Sequence, residues 1–119
     1  MPSATVNPRI ADIFAGVWQA HTRFHGVLYK MLLTSADNSQ ATVNAVQVPP
    51  GGLIGSHNHL AEIETVFVIS GSSTIRVGNN EQAFNAGQIV SIPIGMEHSL
   101  LNTGLSTVEL LTIFTPPLS

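Results

Sequence analysis

The chain contains no cysteine. Thiol catalysis, disulfide bridges and thiolate zinc sites are therefore excluded. Charge is nearly as scarce. Only 9% of the 119 residues are charged, against roughly a quarter in an average domain. With four Lys and Arg and a net charge of −3, the chain has no basic cluster of the kind phosphate binding needs, so nucleic acid is excluded as a partner. Long apolar runs are missing too. No stretch approaches the roughly 18 residues of a membrane span, so no membrane association is expected. Residues 1–5 lack the basic and apolar regions of a secretion signal, and a cytoplasmic location is expected. Hydrophobic residues are plentiful, at 44%. A chain of this length is read as one domain around a single core. So few charges leave much of the surface to uncharged groups, which points to burial in a homodimer.

Short runs rich in β-branched and aromatic residues recur between Gly, Pro, Asn and Ser clusters, and they predict strands over 27–34, 41–48, 74–77, 89–92, 98–103 and 107–115. Turns are expected at 35–39, at 70–73 and at 78–81. Many short strands with such turns read as an all-β barrel. Ahead of them, Ile10, Ile13, Phe14 and Val17 fit helical spacing behind an Asn7-Pro8 cap. Residues 10–14 also fit an extended edge strand, and that reading is preferred. Trp18 is expected to pack against the barrel.

The chemistry concentrates in Gly51 to Gly71. His57 and His59 stand two residues apart, so on a strand they face the same way. Glu64 follows on a strand-like run, with Glu62 a rival carboxylate of the same parity. A third imidazole, His98, lies downstream. Two imidazoles and a carboxylate from neighbouring strands can converge on one divalent ion, and His98 would add a third nitrogen. If Glu64 faces inward, so do Val66 and Val68, while Ile63, Phe67 and Ile69 face outward and need cover.

Gly51, His57-x-His59, Glu64 and Gly71 follow, in spacing, the first motif of the cupin superfamily, and Gly87, Pro93-x-Gly95, His98 and Asn102 follow the second. The chain resembles a small single-barrel cupin. The resemblance implies a double-stranded β-helix (jelly-roll) barrel, with a core over about 27–115 and an N-terminal arm over 1–26. It implies His57, His59, Glu64 and His98 as ligands of one divalent transition metal, whether iron, manganese, nickel, zinc or copper. It also implies a small organic molecule in the barrel, handled by a dioxygenase-, isomerase- or lyase-like enzyme. The alternative is a non-catalytic module that binds or senses a small molecule or metal.

Around that centre, Val66, Val68 and Leu100 are candidate lining residues. Tyr29 is a candidate donor to a ligand, or a packed ring with a wet hydroxyl. Arg76 is a candidate partner for a substrate carboxylate, although an exterior charge is the commoner role for such a residue. Gly71 and Gly95 are expected at positive φ. Asn102 is expected to bond backbone. His21 and His25 are expected as loop residues, with a minority reading in which one of them reaches over the barrel mouth. Glu97 is expected on the face opposite His98.

Overall fold

The structure, a computed structural model, describes residues 8–118. Ten strands follow in order: β1 (Gln19–Ala20), β2 (Leu28–Leu33), β3 (Thr42–Val48), β4 (Leu53–His57), β5 (Ile63–Ser70), β6 (Ser72–Val77), β7 (Asn80–Asn85), β8 (Ile89–Ile92), β9 (His98–Asn102) and β10 (Val108–Thr115). There is no helix among the described residues, and so none long and apolar enough to cross a membrane.

The strands form two antiparallel sheets. Six strands pair in the order β1-β2-β3-β10-β5-β8, and four in the order β4-β9-β6-β7. Period-two alternation decides which side chains lie between the sheets. On β5, Glu64, Val66 and Val68 are buried, while Ile63 and Ile69 are exposed. On β10 the buried set is Val108, Leu110, Thr112 and Phe114, and on β9 it is His98, Leu100 and Asn102. The inward faces meet in a core built mainly of Val, Ile and Leu, closed at one end by Val48, Val68 and Val108, all fully buried. Two facing sheets linked in this order are a double-stranded β-helix, the expected all-β jelly roll.

Several local expectations are corrected. Residues 8–18 are neither strand nor helix, but loop with turns and bends. Asn7, the expected cap, lies outside the described residues. Ile10, Phe14 and Val17 are 93%, 91% and 80% exposed. What ties this segment down is Lys30. Its ammonium donates to the carbonyls of Ile13 at 2.8 Å and Ala15 at 2.6 Å, and it lies 4.4 Å from the centre of the Trp18 ring. A buried ammonium needs such partners, and here the arm supplies them.

The turn expected over 70–73 shrinks to Gly71 alone, the corner at which the chain leaves one sheet for the other. Its φ is +99°, and a Cβ there would stand 2.9 Å from the Val108 Cα. Both facts demand glycine. The turn at 78–81 contracts to residues 78–79, because β7 begins at Asn80. β7 itself was not anticipated. Asn-Glu-Gln-Ala has poor strand propensity, and this strand exists because β6 pairs with it along its whole length.

Candidate functional site

The two motifs bring four side chains to one end of the space between the sheets. Candidate ligand atoms from His57, His59, Glu64 and His98 all lie within 4.8 Å of one another. His57 is the last residue of β4 and His98 the first of β9, and the two are register partners. Glu64 projects inward from β5, across the sheet gap.

His59 reaches the cluster by a route other than the expected one. The ladder of β4 is irregular between Ile54 and His57, and β4 ends at His57. Strand alternation therefore does not aim His59. Its backbone carbonyl instead accepts the Gly95 N–H at 2.8 Å, which docks the 58–62 loop against the turn before β9. Its ring stands edge-on to Phe114 at 5.0 Å.

Hydrogen bonds set the imidazole tautomers. His57 donates Nδ1–H to the Gly55 carbonyl at 2.8 Å, and His98 donates Nδ1–H to the Met96 carbonyl at 2.9 Å. Each Nε2 is thereby turned toward the cluster, the arrangement that orients histidine for a metal. His98 Nε2 meets Glu64 Oε1 at 2.9 Å, a contact that favours a proton on that nitrogen. Burial opposes that charge, but the Glu64 contact and the Met96 carbonyl outweigh it, and the His98 pKa is raised. Burial lowers the His57 pKa, against the pull of the Gly55 carbonyl, and neighbouring His98 lowers it further. For Glu64, burial alone would raise the pKa. The close approach of His59 and His98 more than offsets this and holds the carboxyl at about 2. His59 Nε2 stands 3.3 Å from Glu64 Oε1, yet it makes no aligned hydrogen bond and is buried without a partner. A buried, unsatisfied imidazole nitrogen is costly unless something occupies its lone pair. Three imidazole nitrogens and a carboxylate, all oriented inward, fit a divalent transition ion.

Beside the cluster lies a cavity of about 390 Å³. Its walls are largely apolar, with Val66, Ile75, Ile92, Leu100 and Leu110 among them. Tyr29, Val66 and Leu100 line it. Val68 does not, being packed in the core below, and Arg76 does not either. The Arg76 guanidinium is exposed and pairs with Glu81 at 3.0 Å on the outer face of the β6–β7 hairpin, because its parity on β6 is opposite to that of Ile75. Glu97 is likewise outside, accepting the Ser56 hydroxyl at 2.8 Å. Glu62 is not part of the cluster. Asn102 donates to the carbonyls of Val48 and Ser106, each at 2.9 Å, as expected of a residue that bonds backbone. His25 is exposed. His21 is a loop residue and half-buried, and it lines the cavity as the minority reading has it, its ring 4.7 Å from Phe24 and 5.7 Å from Tyr29. The spacing of residues 21–25 carries no signal for this placement.

Comparison with known proteins agrees with the fold. Residues 44–114 match the profile of the cupin domain. An oxalate-binding protein of Thermotoga maritima is 28% identical over 68 residues, 57% of this chain and 56% of that protein. A mannose-1-phosphate guanylyltransferase of Klebsiella pneumoniae is 34% identical over 71 residues, which are 60% of this chain but 15% of the transferase. The matched region thus spans about half of the first relative and a small part of the second. A solved structure described as a predicted oxalate decarboxylase, also from Thermotoga maritima, superimposes with a TM-score of 0.82 at 21% identity, covering 91% of this chain and 99% of that one.

Proposed function

Since the chain belongs to the cupin domain family, we propose that it is a metal-binding cupin that takes a small organic molecule into its cavity. His57, His59, Glu64 and His98 would hold one divalent transition ion, whether iron, manganese, nickel, zinc or copper. The observation that carries this reading is the inward aim of the donor set, with two tautomers fixed by backbone carbonyls and the buried Nε2 of His59 left without a partner. Bound there, such an ion supplies a Lewis acid or an oxygen-activating centre, the chemistry of a dioxygenase, isomerase or lyase. The chain's own contribution is a largely apolar chamber beside the ligand set.

A second reading, a binding module without turnover, is favoured by one observation. Among the described residues, Glu64 is the only carboxylate lining the cavity, and as a ligand it would not be free to move protons. One curated relative is itself named as an oxalate-binding protein.

The test begins with elemental analysis of protein purified without added metal. Near-stoichiometric metal in wild type, and at least a tenfold loss in the His57→Ala/His98→Ala double variant, are expected on the affinity such ligands supply. Glu64→Gln should lose metal and Glu62→Gln should keep it. Equal metal in wild type and the double variant would refute the site. Incubating loaded protein with small acids, phenols, diketones and sugars then separates the two readings, because product marks an enzyme and stoichiometric binding without product marks a module.

A further inference from the structure

The loop between β1 and β2 forms one wall of the cavity with a character of its own. Its backbone is pinned at both ends. His21 N–H donates to the Val27 carbonyl at 2.8 Å, and Val27 N–H donates to the Phe24 carbonyl at 3.2 Å. Rings then run along the wall in sequence. Tyr29 meets His21, His21 meets Phe24 at 4.7 Å, and Phe24 meets His57 at 5.3 Å. His21 Nδ1 accepts the Arg23 N–H at 3.1 Å. That bond commits Nδ1 as an acceptor, so the neutral ring carries its proton on Nε2, which has no protein partner among the described residues. Burial and the nearby Arg23 charge both lower the His21 pKa, which favours this neutral donor form. Among the described residues, Arg23 is the only Lys or Arg that lines the cavity.

We propose that Arg23 and His21 receive the carboxylate of an amphipathic organic acid, whose apolar body lies along the ring-lined wall toward the ligand cluster. This rests on the small-molecule cupin reading and names its ligand class. Three features select the chemistry. Arg23 is exposed, with its guanidinium 5.3 Å over the Phe24 ring, and one guanidinium and one neutral N–H donor in the same lining match a singly charged, planar acceptor, for which Arg offers paired donors. The volume of about 390 Å³ falls in the range of roughly 300–1,000 Å³ that accepts multi-ring or long-chain ligands, far more than a two-carbon diacid fills. The walls are mostly aliphatic and aromatic, so a ligand polar throughout would lose its hydration there without replacement.

The test is isothermal titration of the metal-free full chain with 3-phenylpropanoate, its neutral amide 3-phenylpropanamide, and oxalate. The acid should bind at least tenfold more tightly than either, the factor expected from a charge-assisted hydrogen bond. Arg23→Gln and His21→Phe should each remove about tenfold from acid binding and change amide binding less, and Arg23→Lys should restore part of the loss. Equal binding of acid and amide, an acid preference that survives both substitutions, tighter binding of oxalate, or no binding of acid or amide at millimolar concentration would each overturn the proposal. Metal is absent throughout, so failure here is distinct from failure of the metal site, which the metal content of the His57→Ala/His98→Ala variant decides.

Discussion

At the scale of single residues, the site is governed by competition between protons and metal. His98 Nε2 lies 2.9 Å from Glu64 Oε1, and that contact raises the His98 pKa. An imidazole must be neutral to bind a metal, so acid opposes loading. Occupancy at fixed free metal should fall as pH drops through the imidazole range, most steeply below about 6.5. Equilibrium dialysis across pH 5 to 8 measures it, and flat occupancy would contradict the ligand set. Glu64 adds a separate effect on folding. Its folded pKa of about 2 lies below its ordinary 4.5. Its ionised form therefore stabilises the metal-free fold in full above about pH 4.5, and that contribution is lost as pH falls toward 2. Urea titrations of EDTA-treated protein at pH 6 and pH 3 should show a larger acid loss in wild type than in Glu64→Gln. The four cluster positions were legible in the sequence because short motifs fix both residue type and spacing. His21 was legible only as the lesser of two readings, because its place depends on how a loop closes over the barrel, and no periodicity in that stretch records it.

Single elements show where local chemistry decides and where tertiary pairing does. Gly71 turns the chain between sheets with one residue. Gly71→Ala meets both a left-handed φ and the Val108 backbone 2.9 Å away, and it should cost about 2–4 kcal/mol. Gly87 also has positive φ, at +87°, but has nothing within 4 Å of a built Cβ, so Gly87→Ala should cost only about 1 kcal/mol. Denaturant midpoints of the two variants test the contrast, and equal costs would remove the close approach as a cause. A glycine flanked by serines revealed a turn in the sequence, though not that the turn would be so tight. Lys30 was legible only as an interruption in an apolar strand. In the structure it holds residues 13–15 against the barrel. Lys30→Met should leave the barrel within about 1 kcal/mol of wild type, because the two hydrogen bonds serve the arm. It should also speed proteolytic cleavage within residues 8–18, as read by mass spectrometry. An unchanged cleavage rate would mean that other contacts hold the arm.

For the whole molecule, the exposed apolar surface sets the expectation. Ile63 and Ile69 face outward on β5, Ile89 is 64% exposed on β8 next to it, and Ile10 and Phe14 stand almost fully in solvent. Patches of this kind mark association surfaces, and a stable dimer buries roughly 1,200–2,000 Å² in total. Light scattering at micromolar concentration should give twice the chain mass, and Ile63→Glu/Ile89→Glu should return it to the monomer value. A monomeric wild type would refute the dimer. Composition anticipated this surface through its shortage of charge, but only the strand order shows that β5 and β8 join their apolar residues on one sheet.

The ligand set is also divided between the two sheets. His57 and His98 belong to the four-stranded sheet, and Glu64 to the six-stranded one. An ion gripped by all of them would act as a rivet through both plates. Below it the plates are held by greasy contact, which yields gradually, whereas a rivet holds or lets go. Ion supply would then set how firmly the mouth of the chamber is clamped, and a cell short of metal would hold a looser container as well as an unloaded one.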